Sequence, residues 1–366
     1  MARIDLDLAH AYRANPQRDE DYALLPLKMS FEDGGAYALL GPSGCGKTTL
    51  LNIVSGLVTP SQGGLTFDGL DVTRQTPQQR NIAQVFQFPV IYDTMTVAEN
   101  LAFPLRNRGV APAKIAQRVA KIAEMLDMSG QLDQRAAGLA ADAKQKISLG
   151  RGLVREDVSA VLFDEPLTVI DPHLKWQLRR KLKQIHQELK LTLIYVTHDQ
   201  VEALTFAQQV VVMTRGRAVQ IGTASELFER PRHTFVGNFI GSPGMNFLPV
   251  RATAAGIEVA GHRLPLAGAA LSGLGDFTLG VRPEYVQLTA AGAPDALPCE
   301  VVQAQDIGTY WLVSARVAAG VGAGAGASLL RARLGPEQTI PRVGESVWLS
   351  VVGEHTCYYK NEELVA

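Results

Sequence analysis

The sequence predicts an α/β domain built on a mostly parallel sheet, followed by a smaller all-β domain. Up to about Phe239, short runs rich in valine, isoleucine and leucine alternate with helical patterns, which indicates strands buried on both faces of a parallel sheet. Beyond the turn Gly241–Gly244 the helical pattern fades, and short β-type runs separated by turn signals predict a small barrel. We therefore expect one domain over residues 1–240 and a second over residues 241–366.

Apolar periodicity places the individual elements along the chain. Strands of the first domain are expected at Ala36–Leu40, Ser159–Phe163, Leu191–Thr197 and Val210–Met213. Amphipathic helices are expected where leucine and isoleucine recur at helical spacing, over residues 115–126 and 174–189. Strands of the second domain are expected around Phe277–Val281, Val301–Val302, Tyr310–Val313 and Ser346–Val352, with a Gly/Ala-rich loop at Ala318–Ala327.

Composition narrows the class of function. Of the 366 residues, 46% are apolar, which is enough for a buried core, and 35 basic residues against 36 acidic ones give a net charge of −1, unlike a dedicated nucleic-acid binder. The 3 cysteines are too few for a disulfide framework and fit a reducing compartment. No apolar run approaches the ~18 residues that span a bilayer, and the acidic residues near the start do not suit a secretion signal. Any membrane role is therefore expected to be peripheral.

A glycine-rich loop, GPSGCGKTT at Gly41–Thr49, lies between the predicted strand Ala36–Leu40 and a helical pattern that begins at Leu50. Glycines there let backbone N–H groups turn towards phosphates, and the helix N-terminus adds partial positive charge. Lys47 is expected to reach the β- and γ-phosphates of ATP, and Thr48 to ligate Mg²⁺. A chance glycine-rich turn is the alternative, but it does not explain the strand–loop–helix order. The expected nucleotide-binding residues of this P-loop NTPase motif are Gly41, Pro42, Ser43, Gly44, Cys45, Gly46, Lys47, Thr48 and Thr49.

Two further predicted strands end in side chains suited to ATP hydrolysis. The run Val161–Phe163 leads into Asp164 and Glu165, and α/β folds bind ligands at the carboxyl ends of their strands. Asp164 is expected to hold Mg²⁺, and Glu165 to act as the general base towards the attacking water. His198 follows another strand and is expected to reach the γ-phosphate. The alternatives are an acidic surface turn and a structural histidine, but the apolar runs place all of these side chains at one edge of the sheet.

The order of these motifs resembles that of the ABC transporter ATPases over nearly the whole chain. The segment Gln84–Leu105 resembles the family's Q-loop and the start of its helical subdomain, expected at about residues 88–156. The resemblance implies that Gln87 reaches Mg²⁺ and the water, and that the residues after it receive a membrane subunit. The segment Leu167–Asp171 resembles the D-loop and implies that Asp171 lies at a dimer seam.

The two ends of the chain extend the resemblance. Tyr12 matches the aromatic residue that stacks on adenine in the family, with Tyr22 as the competing candidate. The segments Phe239–Val250 and Gly280–Glu284 resemble the OB-like accessory domain of sugar and polyol importers. The implied cofactors are ATP and Mg²⁺. The implied partners are a second ATPase, two integral membrane permease subunits and, indirectly, an extracytoplasmic solute-binding protein, with no nucleic acid, at the cytoplasmic face of the inner membrane.

The family's signature segment, LSGGQ, is degenerate in this chain and reads LAADA. Ala140 has no hydroxyl to donate to a phosphate, and Asp142 brings a negative charge where the family has glycine. The loss of a phosphate donor costs ~1–3 kcal/mol, so this segment is expected to be a poor lid for a partner's nucleotide. The segment consists of Leu139, Ala140, Ala141, Asp142 and Ala143.

This asymmetry favours a heterodimer with a second ATPase whose signature is intact, and a homodimer with two weakened sites is the alternative. The degenerate segment and the accessory domain together are most similar to one of the paired ATPases of bacterial glycerol importers. Glycerol is therefore the expected cargo, with maltose-like sugars and glycerol 3-phosphate as alternatives. A non-transport ABC ATPase and a P-loop kinase are the rival functions.

Overall fold

The computed structural model of the chain describes residues 2–253, 256–265, 275–320 and 328–365, so most of the predicted Gly/Ala loop lies outside the described residues. The chain divides into two compact units, Met1–Ala224 and Ser225–Ala366. This division falls before the boundary predicted from the sequence after residue 240, because the segment that follows Ala224 groups with the second unit.

The first unit alternates strands and helices. Its strands are β1 Ile4–His10, β2 Leu24–Phe31, β3 Ala36–Leu40, β4 Gln62–Phe67, β5 Leu70–Asp71, β6 Ile82–Val85, β7 Ala160–Asp164, β8 Leu193–Thr197, β9 Gln209–Thr214 and β10 Arg217–Gly222. Its helices are α1 Lys47–Ser55, α2 Val97–Arg106, α3 Pro112–Met125, α4 Ala141–Leu153, α5 Pro172–Leu189 and α6 Gln200–Phe206.

The main sheet of this unit has six strands in the order β10-β9-β3-β8-β7-β6. All pairs are parallel except β10 with β9, which confirms the mostly parallel sheet predicted from the sequence. Every residue of β3 and β8 is buried, as expected for strands covered on both faces. Parallel strands bring their carboxyl ends to one edge, so the residues after Leu40, Phe163 and Thr197 converge there.

A second, antiparallel sheet in the order β2-β1-β4-β5 was not predicted. Its central strand β1 alternates buried Ile4, Leu6 and Leu8 with acidic Asp5 and Asp7, the pattern of a strand with one face on the core. The register pairs β1 with β2 on one side and β4 on the other. The end of β1 is thereby held by two neighbouring strands.

The helices α2, α3 and α4 form a compact group whose apolar faces meet, consistent with the helical subdomain that the sequence predicts. Helix α2 begins with a capping box, in which the Thr96 hydroxyl accepts from the Glu99 backbone N–H and the Glu99 carboxylate accepts from the Thr96 backbone N–H. Gly150 of α4 allows close packing, because a Cβ there would lie 2.4 Å from a methyl group of Leu101. These contacts fix the position of α4, whose first turn includes Ala141, Asp142 and Ala143 of the predicted signature segment.

The second unit contains all of helix α7 Ala224–Glu229 except its first residue, and helix α8 Thr234–Phe239. It continues as two antiparallel sheets in the orders β13-β12-β11-β14-β20-β21 and β15-β19-β16-β17-β18. Their inner faces share one apolar core, which confirms the all-β domain. The strands are β11 Asn246–Thr253, β12 Gly256–Val259, β13 His262–Leu264, β14 Asp276–Val281, β15 Gln287–Thr289, β16 Ala296–Asp306, β17 Trp311–Val317, β18 Leu329–Leu334, β19 Ser346–Ser350, β20 Cys357–Lys360 and β21 Glu363–Leu364.

The segment Gly280–Glu284 has a structural role in this unit. The Arg282 guanidinium is 1% exposed and donates to the carbonyl of Phe228 at 2.6 Å and to that of Ile240 at 2.5 Å. It thereby satisfies backbone acceptors near the ends of α7 and α8, which no helical N–H reaches. Gly241 must be small, because a Cβ there would lie 2.8 Å from the same guanidinium.

Candidate functional site

The glycine-rich loop has a backbone that larger residues cannot adopt. Gly46 caps α1 with a φ of 104°, and a Cβ there would lie 2.6 Å from the carbonyl oxygen of Ala23. A Cβ at Gly41 would lie 2.2 Å from the carbonyl oxygen of Met213. The loop is therefore held tightly against neighbouring strands and leads directly into the N-terminus of α1.

Lys47 is the first residue of α1 and is 5% exposed. Its ammonium donates to the carbonyl oxygens of Gly41 at 2.8 Å and Pro42 at 3.0 Å, so the positive charge lies within the loop. The first N–H groups of a helix have no intrahelical partner, and they add partial positive charge at the same place. The loop is therefore suited to bind an anion such as a triphosphate.

Asp164, the last residue of β7, lies against this loop. The Thr48 hydroxyl lies near its carboxyl group. Burial raises the pKa of Asp164, the negative charge of Glu165 raises it further, and the nearby Thr48 hydroxyl and the Lys47 charge oppose that shift. A hydroxyl and a carboxylate side by side are the hard oxygen ligands that Mg²⁺ prefers, so Thr48 and Asp164 fit this ion. Gln87 follows β6, the strand next to β7, and is half-buried at the same edge.

Glu165 and His198 meet at this edge. The Glu165 carboxylate lies 3.1 Å from Nδ1 of His198 and accepts from the Thr168 hydroxyl at 3.2 Å. Glu165 has a φ of 46°, in the left-handed region that non-glycine residues rarely adopt. Strain of this kind is retained where the surrounding structure fixes it, often at a functional residue. The structure thus brings together the carboxylate and the imidazole that the sequence placed on separate strands.

Two buried side chains that support this edge were missed from the sequence. Glu202 of α6 is 4% exposed and accepts from Tyr195 at 3.0 Å and Thr197 at 2.8 Å, which fixes the end of the strand before His198. Gln145 of α4 is fully buried and donates to the carbonyl oxygen of Pro166 at 2.6 Å. Glu202 stands between the apolar residues Val201 and Ala203, which is a weak signal, whereas Gln145 stands between two lysines and gives none. The sequence does not indicate which distant group either side chain contacts.

Tyr12 lies near the loop. It follows β1, is 67% exposed, and its hydroxyl lies 3.2 Å from that of Thr49 in α1. The hydroxyl of the competing candidate, Tyr22, accepts a hydrogen bond from Gln62 at 3.2 Å. The contact with α1 makes Tyr12 the better candidate for stacking on a nucleotide base.

The signature segment offers few polar groups. Ala140 occupies the N-cap position of α4 and provides no side-chain hydrogen bond, and Asp142 lies in the first turn. A carboxylate is favourable to its own helix there, because of the partial positive charge of the N-terminus. Asp171 caps α5 by accepting from the His173 backbone at 2.9 Å. The dimer-seam roles of these residues stay predictions.

Family models match successive parts of the chain. The model described as ABC transporter matches residues 24–168, the MalK OB fold domain matches residues 241–286, and the TOBE domain matches residues 279–358. None of the helices in the described part of the chain has the length and apolar character needed to cross a membrane.

Several proteins are similar along most of their length. The chain is 41% identical over 330 residues to the uncharacterized ABC transporter ATP-binding protein y4oS of Sinorhizobium fredii, covering 88% of this chain and 85% of that protein. It is 40% identical over 328 residues to the sn-glycerol-3-phosphate import ATP-binding protein UgpC of Escherichia coli K12, covering 88% and 89%. It is 43% identical over 293 residues to the trehalose import ATP-binding protein SugC of Mycobacterium tuberculosis, covering 78% and 73%.

A solved structure is similar to part of this chain. The structure of cbiO1 from Clostridium perfringens, part of the ABC transporter complex cbiONQ, superposes with a TM-score of 0.56 at 25% identity. The match covers 62% of this chain and 90% of that chain.

Proposed function

The chain belongs to the ABC transporter family of ATPases, with a C-terminal OB/TOBE domain, and on this premise we propose that it powers the import of a small polyol or sugar. The family membership and the fold predicted from the sequence are thereby confirmed. The cargo, the subunit pairing and the roles of individual residues are proposals.

The contact between Glu165 and His198 carries the catalytic proposal. The phosphates of ATP bind the backbone N–H groups of the loop and the Lys47 ammonium, so the γ-phosphorus faces the edge where these two side chains meet. Glu165 accepts a proton from a water whose oxygen attacks the γ-phosphorus, while the bond from that phosphorus to the bridging oxygen breaks and ADP leaves. Nδ1 of His198, 3.1 Å away, donates to the carboxylate and orients it, and when both ring nitrogens carry hydrogen, Nε2 donates towards the γ-phosphate.

Thr48 and Asp164, with Gln87 after the neighbouring strand at the same edge, would hold the Mg²⁺ that ATPases of this family normally use. When bound, the ion would neutralise charge on the β- and γ-phosphates. The position of the Thr48 hydroxyl near the Asp164 carboxyl group supports this assignment, because both oxygens could reach one ion.

We further propose that the chain works beside a second ATPase with an intact signature segment. Ala140 cannot donate a hydroxyl, and Asp142 would repel a triphosphate held by the other subunit. The membrane permease subunits and the solute-binding protein complete the proposed importer. The chain would lie peripherally at the cytoplasmic face of the inner membrane.

Within the class of small polyols and sugars, we propose glycerol as the cargo. Two relatives are named for the import of sn-glycerol 3-phosphate and trehalose, which supports the class. Within that class, glycerol is favoured because the degenerate signature segment resembles that of the paired ATPases of glycerol importers.

Uptake in a strain that lacks the gene tests the proposal. Labelled glycerol, glycerol 3-phosphate and trehalose are each supplied to cells that express the wild-type chain or Glu165→Gln. We expect only the wild type to restore uptake, and only for glycerol. Restored uptake of glycerol 3-phosphate or trehalose instead would make that solute the cargo in place of glycerol. Equal uptake by cells with the wild-type chain and cells with Glu165→Gln would contradict the proposed role of Glu165.

A further inference from the structure

His10, the last residue of β1, is buried without a hydrogen-bond partner. It is 6% exposed, and both ring nitrogens lack a partner among the residues that the structure describes. Burial lowers the pKa of His10, so the ring is neutral near pH 7. A buried polar group without a partner destabilises a fold relative to an apolar side chain of similar size. Packing alone therefore does not account for an imidazole here.

The ring of His10 supports the ring of Tyr12. Their centroids lie 4.6 Å apart and their planes meet at 87°, an edge-to-face arrangement that aromatic rings favour. The Tyr12 hydroxyl is held separately, 3.2 Å from the Thr49 hydroxyl. The phenol ring is therefore fixed at both ends although it is 67% exposed.

The backbone around these residues is also fixed. The carbonyl oxygen of His10 accepts from the backbone of Ala23 at 2.9 Å, and the N–H of Ala11 donates to the Ser61 hydroxyl at 3.0 Å. With the backbone on its N-terminal side fixed, the conformational freedom of Tyr12 is mainly rotation of its side chain, which the contacts with His10 and Thr49 restrict. Holding a side chain in its binding orientation removes part of the entropy cost of binding.

We propose that His10 is a positioning residue, which holds the Tyr12 ring ready to stack on the base of ATP. This inference rests on the proposed base-stacking role of Tyr12. The imidazole suits the task because it is flat and aromatic, and because it packs edge-to-face with Tyr12 while the Tyr12 hydroxyl keeps its contact with Thr49. His10 acts through Tyr12 and does not touch the nucleotide.

Equilibrium binding of ATP and of inorganic tripolyphosphate to the full chain tests this inference. Tripolyphosphate has no base, so it reports the phosphate loop alone. Replacing the ring by an aliphatic side chain, His10→Leu, should weaken ATP binding about two- to tenfold, the range expected for one aromatic pair, and leave tripolyphosphate binding unchanged. His10→Phe keeps the ring and should bind ATP within about twofold of wild type, because the edge-to-face contact remains.

A double-mutant cycle with Tyr12→Leu separates positioning from a general effect on the fold. Once Tyr12 is absent, His10→Leu should have no further effect on ATP affinity. An equal loss in both backgrounds, or a matching loss of tripolyphosphate binding, would overturn the inference. If His10→Leu does not fold, a large loss of ATP affinity in His10→Phe would also overturn it. Failure of the wild-type chain to bind either ligand would instead refute the proposed function.

Discussion

Two regions of the first unit differ in the chemistry that their side chains provide. One is the edge of the main sheet at the carboxyl ends of its parallel strands, next to the phosphate loop, and the other is the predicted signature segment. At the edge, Lys47, Glu165 and His198 supply an ammonium, a carboxylate and an imidazole, each fixed by hydrogen bonds. In the signature segment, Ala140 supplies a methyl group at the N-cap, and Asp142 supplies a negative charge. On the proposed assignment of Leu139–Ala143 as the signature segment, the chain has the groups proposed for its own nucleotide and lacks the hydroxyl and glycines proposed to contact a partner's nucleotide. If each nucleotide lies between two subunits, as proposed, both the phosphate loop of one subunit and the signature segment of the other determine its hydrolysis.

The largest effect is expected at the edge itself. Glu165→Gln removes the proposed base while keeping the shape, so the rate of ATP hydrolysis should fall by about 10²–10⁴-fold. ATP binding should persist, because the phosphate loop is untouched. Phosphate release and equilibrium binding measure the two effects.

Thr168→Val is the matched control for Glu165→Gln. It removes the hydroxyl that bonds to Glu165 at 3.2 Å and leaves the carboxylate in place. Its loss of rate should stay below about tenfold, the worth of one hydrogen bond. Equal losses of rate in the two variants would mean that Glu165 stabilises the turn Glu165–Thr168 and does not act as a base.

A second prediction compares glycines in the two regions. Gly41→Ala puts a Cβ 2.2 Å from the carbonyl oxygen of Met213, so the loop must shift and ATP affinity should fall at least about tenfold, since the loop N–H groups bind the phosphates. Gly138→Ala, just before the signature segment, meets nothing within 4 Å and should leave affinity unchanged. Normal binding by Gly41→Ala would place the nucleotide elsewhere.

A third prediction concerns the Cys45 thiol in the loop, which is 3% exposed. Burial raises its pKa above the ordinary value, so the thiol stays protonated near pH 7 and reacts slowly. We expect alkylation to be slower than that of a peptide cysteine, to accelerate about tenfold per pH unit below its pKa, and to block ATP binding once complete. Mass spectrometry follows the modification over time. Rapid labelling at pH 7 that leaves ATP affinity intact would contradict this placement of the loop.

The smallest effect is expected at the signature segment. Ala140→Ser supplies the missing N-cap of α4 and should stabilise the chain by about 0.5–2 kcal/mol, seen as a higher Tm in thermal unfolding. Ala141→Ser, inside the first turn, is the matched control and should not raise Tm, because serine is a weaker helix former than alanine. Equal Tm changes in the two variants would show that no cap is missing.

Much of the edge could be predicted from the sequence, because parallel strands bring their carboxyl ends together. The motifs at Lys47, Glu165 and His198 follow buried strands, so their convergence follows from the fold class. The antiparallel sheet was missed because β4 begins with glutamine and two glycines, which are weak strand signals. The contact of Gln145 with Pro166 depends on how α4 packs, which local periodicity does not determine.

The most direct test of the account supplies the missing surface from a second copy of the chain. One copy carries Ala140→Ser, Ala141→Gly and Asp142→Gly to restore the signature, together with Lys47→Ala to disable its own loop. Mixed with wild type, it should raise the rate of ATP hydrolysis about tenfold or more over wild type alone, because the intact site then gains phosphate donors. Wild type that hydrolyses ATP as fast alone as in the mixture would contradict the claim that the signature segment is the deficient surface.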